Sequence, residues 1–170
     1  MAPHLKYLTA YPDTVQHQVL ALIENKKLGD FLKQRHADTH SISNDRALRE
    51  YVMALKNRYM KSSPPLSKIM YDGKIHVIHN ALGTHSYVTR IQGSKLKSKN
   101  EIRISSIFKN APAAFLNMIV VHELAHLKEK AHNKGFYQLC EHMLPEYHQL
   151  EFEMRLYLTH LETEDIAQLT

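Results

Sequence analysis

Apolar residues recur every three or four positions near both ends of the chain, and they alternate with polar residues in the middle. The first spacing places apolar side chains on one face of a helix, and the second places them on one face of a strand. We therefore predict a helical part over 1–65, strands over 66–107 and further helices over 108–161. This order predicts an α+β fold, with helices packed on one side of a small antiparallel or mixed sheet. A chain of 170 residues is long enough for a single domain with one core.

Local signals predict where several of these elements end. The apolar spacing after Asp13 predicts a helix that ends at Gly29, because glycine commonly follows the last helical residue. The Asp-Gly pair at 72–73 predicts a hairpin, since Asp-Gly suits a tight turn with positive φ. The last helix is expected over 146–161, and the acidic residues 162–165 after it are expected to fray.

The most distinctive motif is His-Glu-x-x-His at 122–126, on the first helix after the strands. Four helical residues advance the chain about 6 Å and turn it about 400°, so His122 and His126 project from one face. Two imidazoles so placed can bind one metal ion. Glu123 is offset by about 60° from His126, so it can reach a water on that ion without being a ligand. This arrangement is typical of a zinc hydrolase, with Glu123 as the general base.

The residues before the motif help to distinguish a metal site from a chance match. A five-residue pattern with three fixed positions also occurs on solvated helices. Residues 115–121 are apolar almost all round, which is typical of a buried helix. Burying two imidazoles and a carboxylate there would cost several kcal/mol without partners, and a metal ion would remove that cost. We therefore interpret the motif as a metal site.

A third ligand would complete a catalytic zinc site, in which three protein ligands leave one position for water. His132 follows His122 by ten residues, so the chain must leave the helix for both to reach one ion. Asn133 and Gly135 can turn the chain there. Metzincins share this offset but use a glycine where this chain has Glu129, so a metzincin is not expected. The alternatives to His132 are downstream carboxylates, namely Glu141, Glu146, Glu151 and Glu153.

Together with His132 and the aromatic pair Phe136-Tyr137, the motif resembles the YgjP-like metallopeptidase domain, a family of predicted metal-dependent hydrolases. The resemblance runs from about 71 to about 161, and SprT-like zinc proteases have a similar arrangement. Many members carry Trp-Gly-Ser-Cys before the metal helix, whereas this chain has Gln-Gly-Ser-Lys at 92–95. The resemblance implies a zincin-like active-site helix and a zinc-dependent hydrolase, with a metallopeptidase as the expected kind.

Composition limits the compartment and the metal ligands. The chain has no run of about 18 apolar residues that could span a bilayer, and its N-terminus lacks the pattern of a signal peptide. The lone Cys140 excludes an internal disulfide framework and is typical of a reducing compartment. We therefore expect a cytoplasmic protein with no membrane partner. With one cysteine, the metal site must be built from histidine and carboxylate.

The leading hypothesis from the sequence is a zinc-dependent peptidase that acts on peptides or proteins. Zn²⁺ held by His122, His126 and His132 would lower the pKa of a bound water toward about 7. Glu123 would take a proton from that water and pass it to the leaving group. An oxyanion donor is also needed, and three side chains are candidates: Tyr137, Tyr147 and His85.

A local basic cluster supports two further hypotheses. The net charge is +5, and Lys95, Lys97 and Lys99 lie close together in sequence, with Arg90 and Arg103 nearby. These side chains could bind the phosphates of a nucleotide or other phosphate ester at the same metal site. Alternatively, the chain is a non-catalytic, metal-stabilised module that binds nucleic acid through this cluster. The structural alternative to both is a solvated loop between two strands.

Overall fold

The structure, a computed structural model, describes the backbone of residues 3–75, 83–92 and 95–169, and the side chains of 5–75, 100–165, 167 and 168. Helices dominate these ranges and three strands accompany them, so the predicted α+β class is confirmed. The helices are α1 (Asp13–Glu24), α2 (Leu28–Arg35), α3 (Asp45–Tyr59), α4 (Ala113–Ala125), α5 (Lys134–Met143) and α6 (Tyr147–Leu169). The strands are β1 (Leu66–Asp72), β2 (Gly83–Gln92) and β3 (Lys95–Ser105), and two 3₁₀ helices cover Pro3–Leu8 and Ser106–Asn110.

The chain forms two compact units. The first comprises residues 1–38 and 148–170, and the second comprises residues 39–147. The first unit contains α1, α2 and almost all of α6, whereas the second contains α3, the sheet, α4 and α5. The single domain over 1–170 that the sequence suggests stays a prediction.

In the first unit, α1 ends earlier than its apolar spacing predicts. The helix ends at Glu24, where the Asn25 side chain donates to a carbonyl of the last turn at 2.8 Å, and Lys26 takes a positive φ of 56°. The predicted end at Gly29 is therefore wrong, and Gly29 lies inside α2. A Cβ on Gly29 would come within 2.8 Å of the His160 ring, so any other residue there would require that ring to move.

The last helix is longer than predicted. α6 continues to Leu169, through the acidic residues that were expected to fray. Tyr7 donates to the Glu162 carboxylate at 2.8 Å and Lys6 pairs with the same group, which gives this segment partners from a distant part of the sequence. Neither α6 nor any other helix in the described part of the chain is long and apolar enough to cross a membrane. The cytoplasmic location stays a prediction.

The second unit contains a three-stranded mixed sheet in the order β1-β3-β2. β1 runs parallel to β3, from Leu66 opposite Asn100 to Asp72 opposite Ser105, and β2 runs antiparallel to β3. The predicted mixed sheet is confirmed, and both α3 and α4 contact it. The hairpin predicted at 72–73 would continue into residues 76–82, which lie outside the described residues.

The helix α4 is surrounded by other elements of the second unit. It contacts α3, α5, β2 and β3. Its residues from Leu116 to Ala125 are all buried except Asn117, in keeping with a sequence that is apolar almost all round. Each fully buried large apolar side chain stabilises the fold by about 1.5–3 kcal/mol. Packing therefore fixes the position of the last turn of α4.

Candidate metal centre

The last turn of α4 and the turn after it carry the His-Glu-x-x-His motif. α4 ends at Ala125, and His126 caps it with a helical φ of −65° and ψ of −14°. After it, Leu127 and Lys128 donate to carbonyls three residues back, at 3.0 and 3.1 Å, so the regular helix gives way to turns. His122 and Glu123 are buried, whereas His126 is half-buried. The motif therefore lies where a buried helix reaches the surface of its unit.

Three histidines come together at this point. One ring nitrogen from each of His122, His126 and His132 lies within 4.8 Å of the other two. The Nε2 atoms of His126 and His132 are 3.1 Å apart. This is close to the separation of about 3.3 Å expected for two nitrogens bound at about 2.05 Å to one tetrahedral ion. Within the described residues, no other group of three or more His, Cys, Asp or Glu side chains has such spacing.

Hydrogen bonds on the outer side of two rings determine which nitrogen faces the cluster. Nδ1 of His126 lies 2.9 Å from the Glu129 carbonyl oxygen, which can only accept, so Nδ1 carries the proton. Nδ1 of His122 lies 2.8 Å from the hydroxyl of Tyr147. On both rings Nδ1 is thus engaged on the outer side, which leaves Nε2 facing the cluster. Burial lowers the pKa of His126, and the nearby His132 lowers it further, while the hydrogen bond to Glu129 opposes this. The lowered pKa favours the neutral imidazole that a metal requires.

His132 is exposed, and the loop before α5 determines its position. The Asn133 side-chain oxygen accepts from the Phe136 backbone at 2.8 Å, and its Nδ2 donates to Glu129 Oε2 at 3.1 Å. Phe136 is fully buried, and its ring centroid lies 5.0, 4.6 and 4.9 Å from those of the three histidines in chain order. Phe136 therefore packs against all three imidazoles of the cluster.

Glu123 is a buried carboxylic acid, and one of its oxygens has no hydrogen-bond partner among the described residues. The residue is 1% exposed, and no donor within the described part of the chain lies within hydrogen-bond distance of its Oε2. Burial raises the pKa of this carboxyl to about 8. A nearby cation would favour the ionised form and offset the desolvation penalty. Three imidazoles suit Zn²⁺ or a similar transition-metal ion better than Mg²⁺, which prefers oxygen ligands. The residues present therefore fit a metal ion.

Two aromatic candidates for oxyanion contact lie beside the cluster. Tyr137 packs edge-on against Phe136, with ring centroids 5.1 Å apart, and its ring lies 6.2 Å from that of Tyr147. The Tyr147 hydroxyl contacts His122 Nδ1, on the side of the ring away from Nε2. No sequence spacing indicated this contact, because 25 residues separate the two positions. Their roles as oxyanion donors stay predictions.

Most of the predicted phosphate-binding residues have side chains outside the described part of the structure. Arg103, whose side chain is described, contacts Asp72 at 3.2 Å and Glu101 at 3.3 Å. A guanidinium held by two carboxylates is less available to bind a phosphate. Among the predicted site residues, the side chains outside the described part are those of the oxyanion candidate His85 and of Arg90, Lys95, Lys97 and Lys99.

The four carboxylates considered as third ligands do not belong to the described histidine cluster. Glu153 lies in the first unit, where it is 1% exposed and pairs with Arg35. Glu151 pairs with Arg155 at 3.5 Å, one turn along the same helix. The exposed members of this set are Glu141 and Glu146.

The chain matches one protein family over most of its length. The family described as YgjP-like, metallopeptidase domain, matches residues 16–157, a longer span than the motif-based resemblance covered. The chain belongs to this family. This YgjP-like protein is also 57% identical, over 158 residues, to the UTP pyrophosphatase of Escherichia coli (strain K12). That match covers 93% of this chain and 95% of the bacterial protein. No solved structure gives a significant match. The chain is therefore a hydrolase whose histidine cluster is suited to a metal ion.

Proposed function

We propose that this YgjP-like protein is a zinc-dependent hydrolase that converts UTP and water to UMP and pyrophosphate. The observation that carries the proposal is the 57% identity, over 93% of the chain, to a protein named UTP pyrophosphatase. The histidine cluster supports a metal-dependent reaction, and its nitrogen donors favour zinc. Nucleotide hydrolysis, one of the alternatives from the sequence, thus becomes the leading hypothesis.

The chain's own residues supply the metal ligands in this mechanism. His122, His126 and His132 would bind the ion, the first two through the Nε2 atoms that their Nδ1 contacts leave facing the cluster. When bound, the ion supplies Lewis acidity, which neutralises phosphate charge and makes water at the site more acidic.

Glu123 would act as the general base. The oxygen of a water molecule attacks the α-phosphorus of UTP, the bond from that phosphorus to the bridging oxygen breaks, and pyrophosphate leaves. The proton of the attacking water passes to the Glu123 carboxylate. Burial alone raises the pKa of Glu123, and a cation at the histidine cluster would offset that shift and favour the ionised carboxylate that accepts the proton. Its Oε2 has no competing hydrogen-bond donor among the described residues.

The basic residues of the sheet would bind the triphosphate. Arg90, Lys95, Lys97 and Lys99 belong to the adjacent strands β2 and β3, which form an antiparallel pair. Cationic side chains stabilise the charge that develops on phosphate oxygens during transfer. We infer that this strand pair distinguishes a nucleotide substrate from a neutral peptide.

A peptidase is the second candidate, and the His-Glu-x-x-His motif favours it. The same arrangement serves metallopeptidases, in which the glutamate takes a proton from water and returns it to the leaving amine. The description of the family as a metallopeptidase domain also favours this activity.

One experiment separates the two candidates. Purified protein loaded with equimolar zinc is incubated with UTP, with CTP, ATP and GTP, and with a fluorescence-quenched peptide library. We expect UMP and pyrophosphate from UTP, measured by anion-exchange chromatography, with loss on chelation and recovery on zinc addition. Peptide cleavage with UTP intact would favour the peptidase. UDP and orthophosphate as products would show that the bond between the β- and γ-phosphates is cleaved instead. No turnover of any substrate would overturn both candidates.

Two variants control for contaminating enzymes in this experiment. Glu123→Gln should lose the activity, because an amide cannot accept the proton. Glu24→Gln makes the same chemical change at an exposed position outside the cluster and should retain it.

A further inference from the structure

Tyr147 makes a contact with the histidine cluster that the proposed reaction does not use. Its hydroxyl lies 2.8 Å from Nδ1 of His122, and the two rings are nearly parallel, with an interplanar angle of 21° and centroids 6.4 Å apart. Tyr147 is fully buried, and its backbone N–H donates to the Leu144 carbonyl at 2.9 Å. The hydroxyl therefore meets His122 in a rigid setting inside the second unit.

The direction of this hydrogen bond decides whether His122 can bind a metal. A neutral imidazole carries one proton, on either Nδ1 or Nε2. If the tyrosine hydroxyl donates to Nδ1, the ring proton lies on Nε2 and blocks the nitrogen that faces the cluster. If Nδ1–H donates to the hydroxyl oxygen, Nε2 presents a lone pair to an ion.

The neighbouring ligand shows the same arrangement with an unambiguous acceptor. Nδ1 of His126 faces the Glu129 carbonyl oxygen at 2.9 Å, so that ring must hold its proton on Nδ1. His122 and His126 thus both have an oxygen within 3.0 Å of Nδ1, one from a side chain and one from the backbone.

We propose that Tyr147 is a positioning residue that accepts a hydrogen bond from His122 Nδ1 and so keeps His122 in the tautomer that binds the metal through Nε2. The role rests on the proposed metal site, but it concerns metal binding and not the choice of substrate. Contacts of this kind typically change metal affinity by about 10–100-fold when they are removed.

The first measurement compares zinc affinity in Tyr147→Phe and Tyr51→Phe, by competition with a chromophoric chelator. Tyr51 provides a matched control, because its hydroxyl donates to the Asn117 side chain at 3.0 Å in the same unit and lies outside the cluster. We expect zinc binding to weaken by about 10–100-fold in Tyr147→Phe and by less than about 2-fold in Tyr51→Phe. Equal affinities in wild type and Tyr147→Phe would overturn the proposal.

The second measurement needs no variant. Long-range ¹H–¹⁵N correlation spectra of the metal-free wild-type protein report the tautomer of His122. We expect the proton on Nδ1, and a proton on Nε2 would overturn the proposal even if Tyr147→Phe failed to fold. In a folded Tyr147→Phe protein, we expect the Nδ1–H tautomer to lose population.

These results also separate the positioning role from the proposed reaction. A wild-type protein that binds zinc but cleaves neither UTP nor peptide would end the proposed function, while the affinity and tautomer measurements would still decide the role of Tyr147. A wild-type protein that binds no metal would end both.

Discussion

The two halves of the candidate metal centre are built in different ways. The helix half consists of His122 and Glu123, which are 7% and 1% exposed on a helix that is enclosed by its unit. The loop half consists of residues 127–133 and carries the exposed His132, beside a polar contact between Asn133 and Glu129. Packing of the core therefore fixes the helix half, whereas fewer and more exposed contacts fix the loop half.

Because of this difference, substitutions in the helix half should change both stability and metal binding, whereas those in the loop half should change mainly metal binding. A buried side chain with fixed partners contributes to stability as well as to metal binding. An exposed ligand contributes to metal binding with little effect on the stability of the metal-free protein. Substitutions in the two halves should therefore separate metal binding from stability, with the largest effect on activity expected at Glu123.

Glu123→Gln should abolish catalysis and leave the metal bound. We expect kcat to fall by about 10²–10⁴-fold, since the amide cannot act as a general base. The buried site already favours the uncharged acid, so a neutral side chain of the same shape should not destabilise the metal-free protein. Steady-state kinetics and elemental analysis of zinc would check this. Full turnover in the variant, with Glu24→Gln as the control, would refute the role of Glu123.

His122→Ala and His132→Ala should both lose zinc, but only the first should lose stability. The expected decrease in the free energy of unfolding of the metal-free protein is about 1–3 kcal/mol for His122→Ala, which removes a buried ring and its hydrogen bond with the Tyr147 hydroxyl. For the exposed His132→Ala it is within about 0.5 kcal/mol. Chelator competition would measure zinc affinity, and urea denaturation would measure the free energy of unfolding.

Either of two results would contradict this comparison. Equal losses of stability would show that the helix half is not held more firmly than the loop half. Unchanged zinc affinity in His132→Ala would return the third ligand to a downstream carboxylate such as Glu141.

The helix half was also the more predictable from sequence. An apolar run before His-Glu-x-x-His indicates both a buried helix and the face on which the two histidines lie, since both follow from helical periodicity. Glycine as a helix-end signal was misleading at Gly29, which lies inside α2 and meets the His160 ring. Local patterns contain no information about a contact with a residue that lies far away in sequence.

In the loop half, too, the sequence did not predict the contacts that side chains make. Sequence spacing suggested His132 and a turn at Asn133, but not that Glu129 would contact the His126 ring through its carbonyl and Asn133 through its carboxylate. Nor did it indicate that one phenylalanine, Phe136, would contact all three imidazoles. Such contacts depend on how the chain folds back after the helix.

Phe136→Leu should affect both halves, because the Phe136 ring touches all three histidines. We expect the free energy of unfolding to fall by about 1–3 kcal/mol, less than the 3–5 kcal/mol typical of Phe→Ala. Zinc affinity should fall as well, as the three rings lose a common packing surface. Phe108→Leu is the matched control, because Phe108 is equally buried and its described contacts do not include the cluster. An equal loss of affinity in both variants would show that general destabilisation is the cause.

Gly135→Ala should lower zinc affinity without lowering stability. Its effect should be the smallest of the series. A Cβ on Gly135 would lie 2.9 Å from Oε1 of Glu129, the flexible end of that side chain, so Glu129 can move away. Alanine is favoured over glycine in a helix by about 0.5–1 kcal/mol, so stability should stay level or rise slightly. Moving Glu129 would break its 3.1 Å contact with Asn133 and loosen the loop that carries His132. Zinc affinity should therefore fall, by less than about 10-fold.

A double-mutant cycle tests whether Glu129 transmits this effect. If Gly135→Ala weakens zinc binding by displacing the Glu129 side chain, it should have no further effect in a Glu129→Ala background, where nothing remains to be displaced. The Glu129 carbonyl that accepts from His126 is retained in both backgrounds, so the cycle isolates the side-chain contact. Additive losses of zinc affinity would mean that Gly135 acts on His132 by another route. A loss of stability along with affinity would mean that the loop half is as firmly packed as the helix half.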